Sequence, residues 1–139
     1  MVSNFYILLV VVLLSIANAQ VPQSCLNCIC KVESGCRPLE CKMDAGSLSC
    51  GYFQLKRPYY IDCGQPGKRS GESTDTAWKR CSKDKACAEQ CVQAYMRRYA
   101  ARCQASPTCE VYARVHNGGP MGCRSSSTLA YWRRVQQCL

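Results

Sequence analysis

Cysteine constrains this chain more than any other residue. Fourteen are present, and all of them follow Ala19. From Gln20 onward they make up about one residue in nine, a density found in disulfide scaffolds of secreted chains. An even count implies about seven bridges with no thiol left over. Zinc explains the pattern less well. There is one histidine, and Cys25-Leu26-Asn27-Cys28 has no second Cys-x-x-Cys to match it. No metal and no cofactor is expected. Cys30 with Cys36, Cys41 with Cys50 and Cys81 with Cys87 lie close enough for local staples, although spacing alone does not fix connectivity.

The residues ahead of the cysteines set the compartment. Residues 7–16 form a nearly unbroken apolar run, followed by Ala17-Asn18-Ala19. Small residues at the two positions read by signal peptidase mark a cleavage site. The run is too short to cross a bilayer comfortably, which takes about 20 residues. The usual basic start is missing, since no Lys or Arg precedes Lys31. The reading is a signal peptide over 1–19 and a single secreted, extracellular domain over 20–139.

The net charge is +9. Charge of this sign attracts nucleic acid, anionic membranes and bacterial wall polymers alike, and also serves simple solubility. No strongly basic amphipathic helix with a Trp- or Leu-rich face stands out, so stable membrane insertion is not expected.

Four segments read as helices. The first is 25–34, with Ser24 as N-cap and Gly35 just past its end. The second is 85–102, capped by Asp84, with Cys87, Cys91, Tyr95 and Tyr99 recurring every four residues. The third is 107–116, with Ser106 as N-cap and Gly118-Gly119-Pro120 as its stop. The fourth is 127–137, with Leu129, Trp132 and Val135 on one face. Residues 48–55 read as a strand, one arm of a small hairpin after the turn residues Asp44-Ala45-Gly46-Ser47. Pro58 and Gly64-Gln65-Pro66-Gly67 break the chain, and 68–76 reads as a mobile polar loop. The fold class is α+β, mostly helical with one small sheet. Trp78 and Trp132 are read as core aromatics.

Hydrolysis of a glycosidic bond typically needs two carboxyl groups in unlike environments. Only nine acids are present. Glu33 falls in the last turn of the first helix, on the face shared by Leu26, Ile29 and Cys30. Partial burial and the negative end of the helix dipole both raise its pKa, as a general acid requires. A surface Glu paired with Lys31 or Arg37 fits the same residues. Asp44 opens a turn beside Ser47 and Ser49, whose hydroxyls can hold a carboxylate ionised. An ordinary turn aspartate fits there too.

The run Cys28-Ile29-Cys30-Lys31-Val32-Glu33-Ser34-Gly35-Cys36 and the run from Met43-Asp44-Ala45-Gly46 through Gly51-Tyr52-Phe53-Gln54-Leu55-Lys56 resemble the invertebrate-type, or destabilase-type, lysozymes. Pro58-Tyr59-Tyr60-Ile61-Asp62-Cys63-Gly64, Tyr95-Met96-Arg97-Arg98-Tyr99 and His116-Asn117-Gly118-Gly119-Pro120 extend the likeness over essentially all of 20–139. The resemblance implies a lysozyme-like fold and hydrolysis of the β-1,4 bond between N-acetylmuramic acid and N-acetylglucosamine in peptidoglycan. It implies Glu33 as proton donor and Asp44 as nucleophile or charge stabiliser. It further implies a cleft lined by Lys56, Arg57, Pro58, Tyr59, Tyr60, Ile61 and Asp62, with Tyr95, His116, Asn117 and Gly118 as additional substrate contacts. Read from position alone, Tyr95 is a packing residue, one of the paired tyrosines is core, and His116 is a cation favoured at a helix C-terminus. The chain departs from the family in a longer stretch between Cys63 and Cys81 and in a tighter spacing of Glu33 and Asp44.

Two other functions fit the residues. Cleavage of glutamyl-lysine isopeptide bonds would use Ser47 or Ser49 as nucleophile, with Lys56 or His116 as base. A non-enzymatic cationic antimicrobial protein would need only the charge. The partners expected are peptidoglycan and anionic wall polymers, with no nucleic acid and, for the chain itself, a monomer or weak dimer.

Overall fold

The computed structural model describes residues 20–139. The expected signal peptide at 1–19 lies outside the described residues. In chain order the elements are α1 (Gln23–Ser34), β1 (Lys42–Asp44), β2 (Ser47–Cys50), β3 (Leu55–Lys56), α2 (Arg57–Asp62), α3 (Thr74–Ser82), α4 (Lys85–Tyr99), α5 (Cys109–Gly118) and α6 (Leu129–Gln136). Short 3-10 turns follow α4 at Ala100–Arg102 and precede α6 at Gly122–Arg124 and Ser126–Thr128. The α+β class is as expected.

The core sits around α5, whose Val111, Tyr112, Ala113 and Val115 are all buried. α1, α4 and α6 pack against α5. They contribute Leu26 and Ile29, Ala88, Val92 and Met96, and Tyr131 and Val135. Burying a Leu, Ile or Val side chain fully is worth about 1.5–3 kcal/mol, so this cluster carries most of the hydrophobic driving force. All fourteen cysteines pair, leaving none free. The three local staples Cys30–Cys36, Cys41–Cys50 and Cys81–Cys87 are present as expected. Cys25–Cys109 ties α1 to the start of α5, and Cys28–Cys138 ties it to the C-terminus. Cys63–Cys91 and Cys103–Cys123 complete the set.

The helix boundaries differ from the expected ones at their starts. α1 begins two residues early, its first backbone bond running from Leu26 N–H to Pro22 C=O, so Ser24 lies inside it rather than capping it. Gly35 does end it in the left-handed conformation, at φ 67°. α5 begins at Cys109, because Thr108 rather than Ser106 supplies the capping hydroxyl, accepting from Val111 N–H. Asp84 caps α4 as read, accepting from Cys87 N–H. On α6 the buried face is Tyr131 and Val135, with Leu129 and Trp132 only half-buried. The expected stripe was therefore displaced around the helix.

The sheet has three antiparallel strands in the order β1-β2-β3. Asp44 pairs with Ser47 across a two-residue turn, with Ala45 at φ 48° and Gly46 at φ 85°. Two successive positive φ values match the right-handed twist of a hairpin. The single strand expected over 48–55 is interrupted. The chain turns at 51–54, with Gly51 at φ 74° and Gln54 at φ 49°, and returns as β3. Gly51 is required twice over, since a Cβ there would also overlap the Ser82 carbonyl, which accepts from Tyr52 N–H.

α2 and α3 were not expected. Pro58 does not break the chain but occupies the first turn of α2, where its missing N–H costs nothing. The polar stretch 68–76 is not a loose loop. Glu72 forms an ion pair with Arg80, Arg80 also donates to Gly67 C=O, and Ser73 caps α3 by accepting from Thr76 N–H. Buried Trp78 on α3 donates to Leu55 C=O and anchors β3. Half-buried Trp132 packs against the edge of the core. No helix among the described residues is long and apolar enough to cross a membrane.

Candidate active site

Glu33 and Asp44 line the same two adjoining cavities, together with Gln54 and Asn117. One cavity, about 340 Å³, continues past Lys56, Pro58, Tyr59, Asp62, Tyr95, His116, Gly119 and Pro120. The other, about 440 Å³, continues past Val32, Lys42, Met43, Tyr131 and Arg134. The acids thus stand at the middle of one continuous cleft.

Glu33 comes from the last turn of α1, inside the loop closed by Cys30–Cys36. Its side chain is 17% exposed. Burial pushes its pKa from the ordinary 4.5 up to about 7, with the Asp44 charge adding to the rise. The Tyr131 phenol opposes it, and Arg134 and Lys42 oppose it more weakly. The Tyr131 hydroxyl faces this carboxyl and has no other partner. Neither Lys31 nor Arg37 pairs with Glu33; its near neighbour is His116, with 3.8 Å between Oε1 and Nε2.

Asp44 ends β1 and is 61% exposed. Ser49 Oγ donates to its Oδ2 over 3.4 Å, and Lys56 Nζ stands 4.0 Å from the same oxygen. Ser47 does not hold the carboxylate. Its Oγ accepts from Lys56 Nζ at 2.7 Å, and Lys56 also donates to the Asp44 carbonyl. One lysine therefore clamps the hairpin end on which Asp44 sits.

His116 lies in the last turn of α5 with its side chain 4% exposed. Burial pushes its pKa down to about 4, so it is a neutral imidazole near pH 7 and not the helix-end cation expected. Nε2 faces the Phe53 carbonyl at 3.0 Å and must carry the proton. Nδ1 then accepts from the Tyr59 hydroxyl at 3.1 Å. His116 therefore joins the Gly51–Gln54 turn to α2. Its 3.8 Å approach to Glu33 brings no ion pair at neutral pH. Tyr59 stacks on Tyr95, their centroids 3.7 Å apart, so one face of Tyr59 is already covered.

Of the expected cleft residues, Lys56, Pro58, Tyr59, Asp62, Tyr95, His116 and Asn117 line the cavity. Four do not. Tyr60 is wholly buried and donates to Pro66 C=O, so it is the core member of the tyrosine pair. Arg57 turns outward to Asp75, and Ile61 is exposed on the outer side of α2. Gly118 abuts Thr128, and the next residues, Gly119 and Pro120, face the cavity instead. The alternation of in and out is that of a one-and-a-half-turn helix, which a reading of 56–62 as an extended cleft wall cannot give. Gln54, Tyr131, Lys42 and Arg134 were not singled out from sequence. A helical face drawn through Tyr131 and Val135, four residues apart, is the one signal that could have found Tyr131.

Of the four residues considered for isopeptide cleavage, Ser47, Ser49 and Lys56 gather around Asp44: Lys56 donates to Ser47, and buried Ser49 pairs with Lys56 across the sheet and donates to Asp44. His116 stands apart, with its ring nitrogens engaged by Tyr59 and Phe53. Among the described residues no group of three or more His, Cys, Asp or Glu is arranged to hold a metal.

Residues 22–138 match the profile of the Destabilase family. The chain is 58% identical to Invertebrate-type lysozyme 2 of Caenorhabditis elegans, with 92% of this chain and 94% of that protein aligned. It is 54% identical to the invertebrate-type lysozyme of Ruditapes philippinarum, with 89% and 86% aligned. Among solved structures it resembles Meretrix lusoria lysozyme in complex with Aeromonas hydrophila PliI at TM-score 0.75 and 55% identity, covering 84% of this chain and 89% of that one. Tapes japonica lysozyme is similar at TM-score 0.74 and 56% identity, with the same coverage.

Proposed function

This chain belongs to the destabilase family of invertebrate-type lysozymes, and we propose that Glu33 and Asp44 are its catalytic pair. The enzyme is a lysozyme, a glycoside hydrolase cleaving the β-1,4 bond between N-acetylmuramic acid and N-acetylglucosamine in peptidoglycan. The observation that carries the assignment is the unlike surroundings of two carboxyls on one cavity. Glu33 is shielded from water with its pKa raised to about 7. Asp44 is open to water and faces a lysine.

Glu33, protonated near neutral pH, gives its proton to the glycosidic oxygen as the bond breaks. Asp44 meets the positive charge that develops on the sugar, as nucleophile or as electrostatic partner. The Lys56 clamp and the Cys41–Cys50 staple hold Asp44 in place, and Cys30–Cys36 does the same for Glu33. Fixed acids need no reorganisation in the transition state. Tyr95, Tyr59, Asp62 and Asn117 bind the sugar on one flank, while His116 orients Tyr59. The protein acts outside the cell, where its +9 charge draws it to anionic wall polymers.

The test is release of reducing ends from purified cell walls by the mature protein, Glu33→Gln and Asp44→Asn, each checked for native folding by circular dichroism. Each variant should lose at least about 100-fold in rate, the lower end of what a general acid contributes. Near-normal hydrolysis by a folded Glu33→Gln protein would remove Glu33 from the mechanism.

A further inference from the structure

The two flanks of the cleft differ in charge. The tyrosine-lined flank ends on Asp62 and on Lys56, whose ammonium is committed to Asp44 and Ser47. The opposite flank carries Lys42 and Arg134. Among the described residues neither has an acid within 4.0 Å, although seven other Lys and Arg side chains do. The Arg134 guanidinium stands 5.5 Å from the Tyr131 ring centre, which keeps it at the cavity. The same flank holds unmet hydrogen-bonding capacity. Three buried side-chain polar atoms have no partner, and two of them, Tyr131 Oη and Gln54 Oε1, belong to residues that line this cavity. Gln54 Oε1 can only accept and so calls for a ligand hydroxyl or amide N–H, while the Tyr131 hydroxyl faces the Glu33 carboxyl, which leaves a ligand carboxylate to Lys42 and Arg134.

We propose that this flank is the subsite for the carboxylate-bearing arm of the muramic residue, with Lys42 and Arg134 binding the carboxylate. The inference rests on the muramidase reading. Peptidoglycan strands alternate a neutral sugar with one bearing a lactyl group, whose carboxylate is either free or extended by an acidic stem peptide. A cleft that is cationic on one flank and aromatic on the other distinguishes that polymer from an uncharged one such as chitin. Arginine and lysine both serve carboxylates, the arginine by a two-pronged contact.

Binding is measured by calorimetry in the Glu33→Gln protein, which leaves ligand intact and removes any influence of the two cations on the Glu33 proton. The ligands are a peptide-free GlcNAc–MurNAc tetrasaccharide, its lactyl methyl ester, and a tetrasaccharide carrying stem peptides. Adding Lys42→Gln and Arg134→Gln together should raise Kd about tenfold for the free carboxylate, the effect of losing about 1.4 kcal/mol of charge-assisted bonding. The methyl ester should bind both proteins alike. A loss confined to the peptide-bearing ligand also supports the subsite and assigns the carboxylate to the stem peptide. Equal weakening of the neutral ester, no change with any ligand, or no measurable binding would overturn the proposal. Wild-type hydrolysis of cell walls, run alongside, decides the muramidase reading separately.

Discussion

Replacing Glu33 with glutamine should stabilise the fold, and only above the ordinary carboxyl range. The folded protein holds the Glu33 proton up to about pH 7, whereas an unfolded chain releases it near 4.5. Below 4.5 both states are protonated and the group costs nothing. As pH rises through that interval the unfolded state gains by ionising while the folded state does not, so stability falls until the folded group also titrates. The interval of about 2.5 pH units corresponds to about 3 kcal/mol at 1.36 kcal/mol per unit. Glutamine keeps the volume and has no charge to desolvate. Guanidinium chloride unfolding with disulfides intact, at pH 4 and pH 8, isolates the effect. The difference between variant and wild type should be near zero at pH 4 and about 3 kcal/mol in favour of the variant at pH 8. His116 also titrates differently in the two states, but it is common to both proteins and cancels. An equal increment at both pH values would refute the reasoning, because packing changes carry no such pH dependence.

Three further outcomes are expected. Tyr131→Phe removes the phenol that faces Glu33 and opposes the rise in its pKa, so the alkaline limb of the pH–rate profile should move up, by as much as about one unit; an unmoved limb would show that the phenol does not favour the ionised carboxyl. Gly51→Ala places a Cβ on the Ser82 carbonyl at a positive φ and should cost about 2–4 kcal/mol in denaturant unfolding; a loss under 0.5 kcal/mol would mean the turn yields freely. Lysis of whole cells should weaken as salt rises from about 0.01 M to 0.15 M, where the screening length shortens from about 30 Å to 8 Å, and a steady increase instead would show that attraction between the +9 enzyme and the wall does not limit it.

Features recorded in spacing or in turn chemistry were legible from sequence, and features set by tertiary contact were not. The three local disulfides, the Asp84 cap and the left-handed Gly35 depend on residues a few positions apart, and each is present. Glu33 was readable because Leu26, Ile29 and Cys30 share its helical face. α2 was not, because a six-residue helix carries too little periodicity, and its Pro58 reads as a breaker when its place in the first turn is unknown. α3 was hidden in a polar stretch whose order comes from Glu72 meeting Arg80 and from Trp78 reaching Leu55 across the fold. His116 shows the same limit in electrostatic form. Its place at a helix end favours a cation, yet burial between Phe53 and Tyr59 outweighs the dipole and keeps it neutral. A dipole at a helix terminus is worth about 0.3–1 kcal/mol, whereas a pKa lowered from 6.5 to about 4 reflects about 3 kcal/mol.

These magnitudes also explain why so small a domain carries seven bridges. Glu33 and His116 each cost the folded state about 3 kcal/mol on the far side of their titrations, Glu33 at high pH and His116 at low pH. Unmet polar atoms at Tyr131 and Gln54, and a non-glycine residue at positive φ in Gln54, add to that burden in the same cleft. A single domain has only about 5–15 kcal/mol of net stability, so either titration cost, added to the unmet polar atoms, would consume a large share of it. Bridges that close long loops offset costs of this size. Cys25–Cys109 and Cys28–Cys138 span separations of 84 and 110 residues, and each is worth about 4–5 kcal/mol in the chain-entropy account. Both are anchored on α1, the helix that ends at Glu33. The covalent framework is thus concentrated on the helix that carries Glu33, where three bridges hold that carboxyl buried beside Asp44.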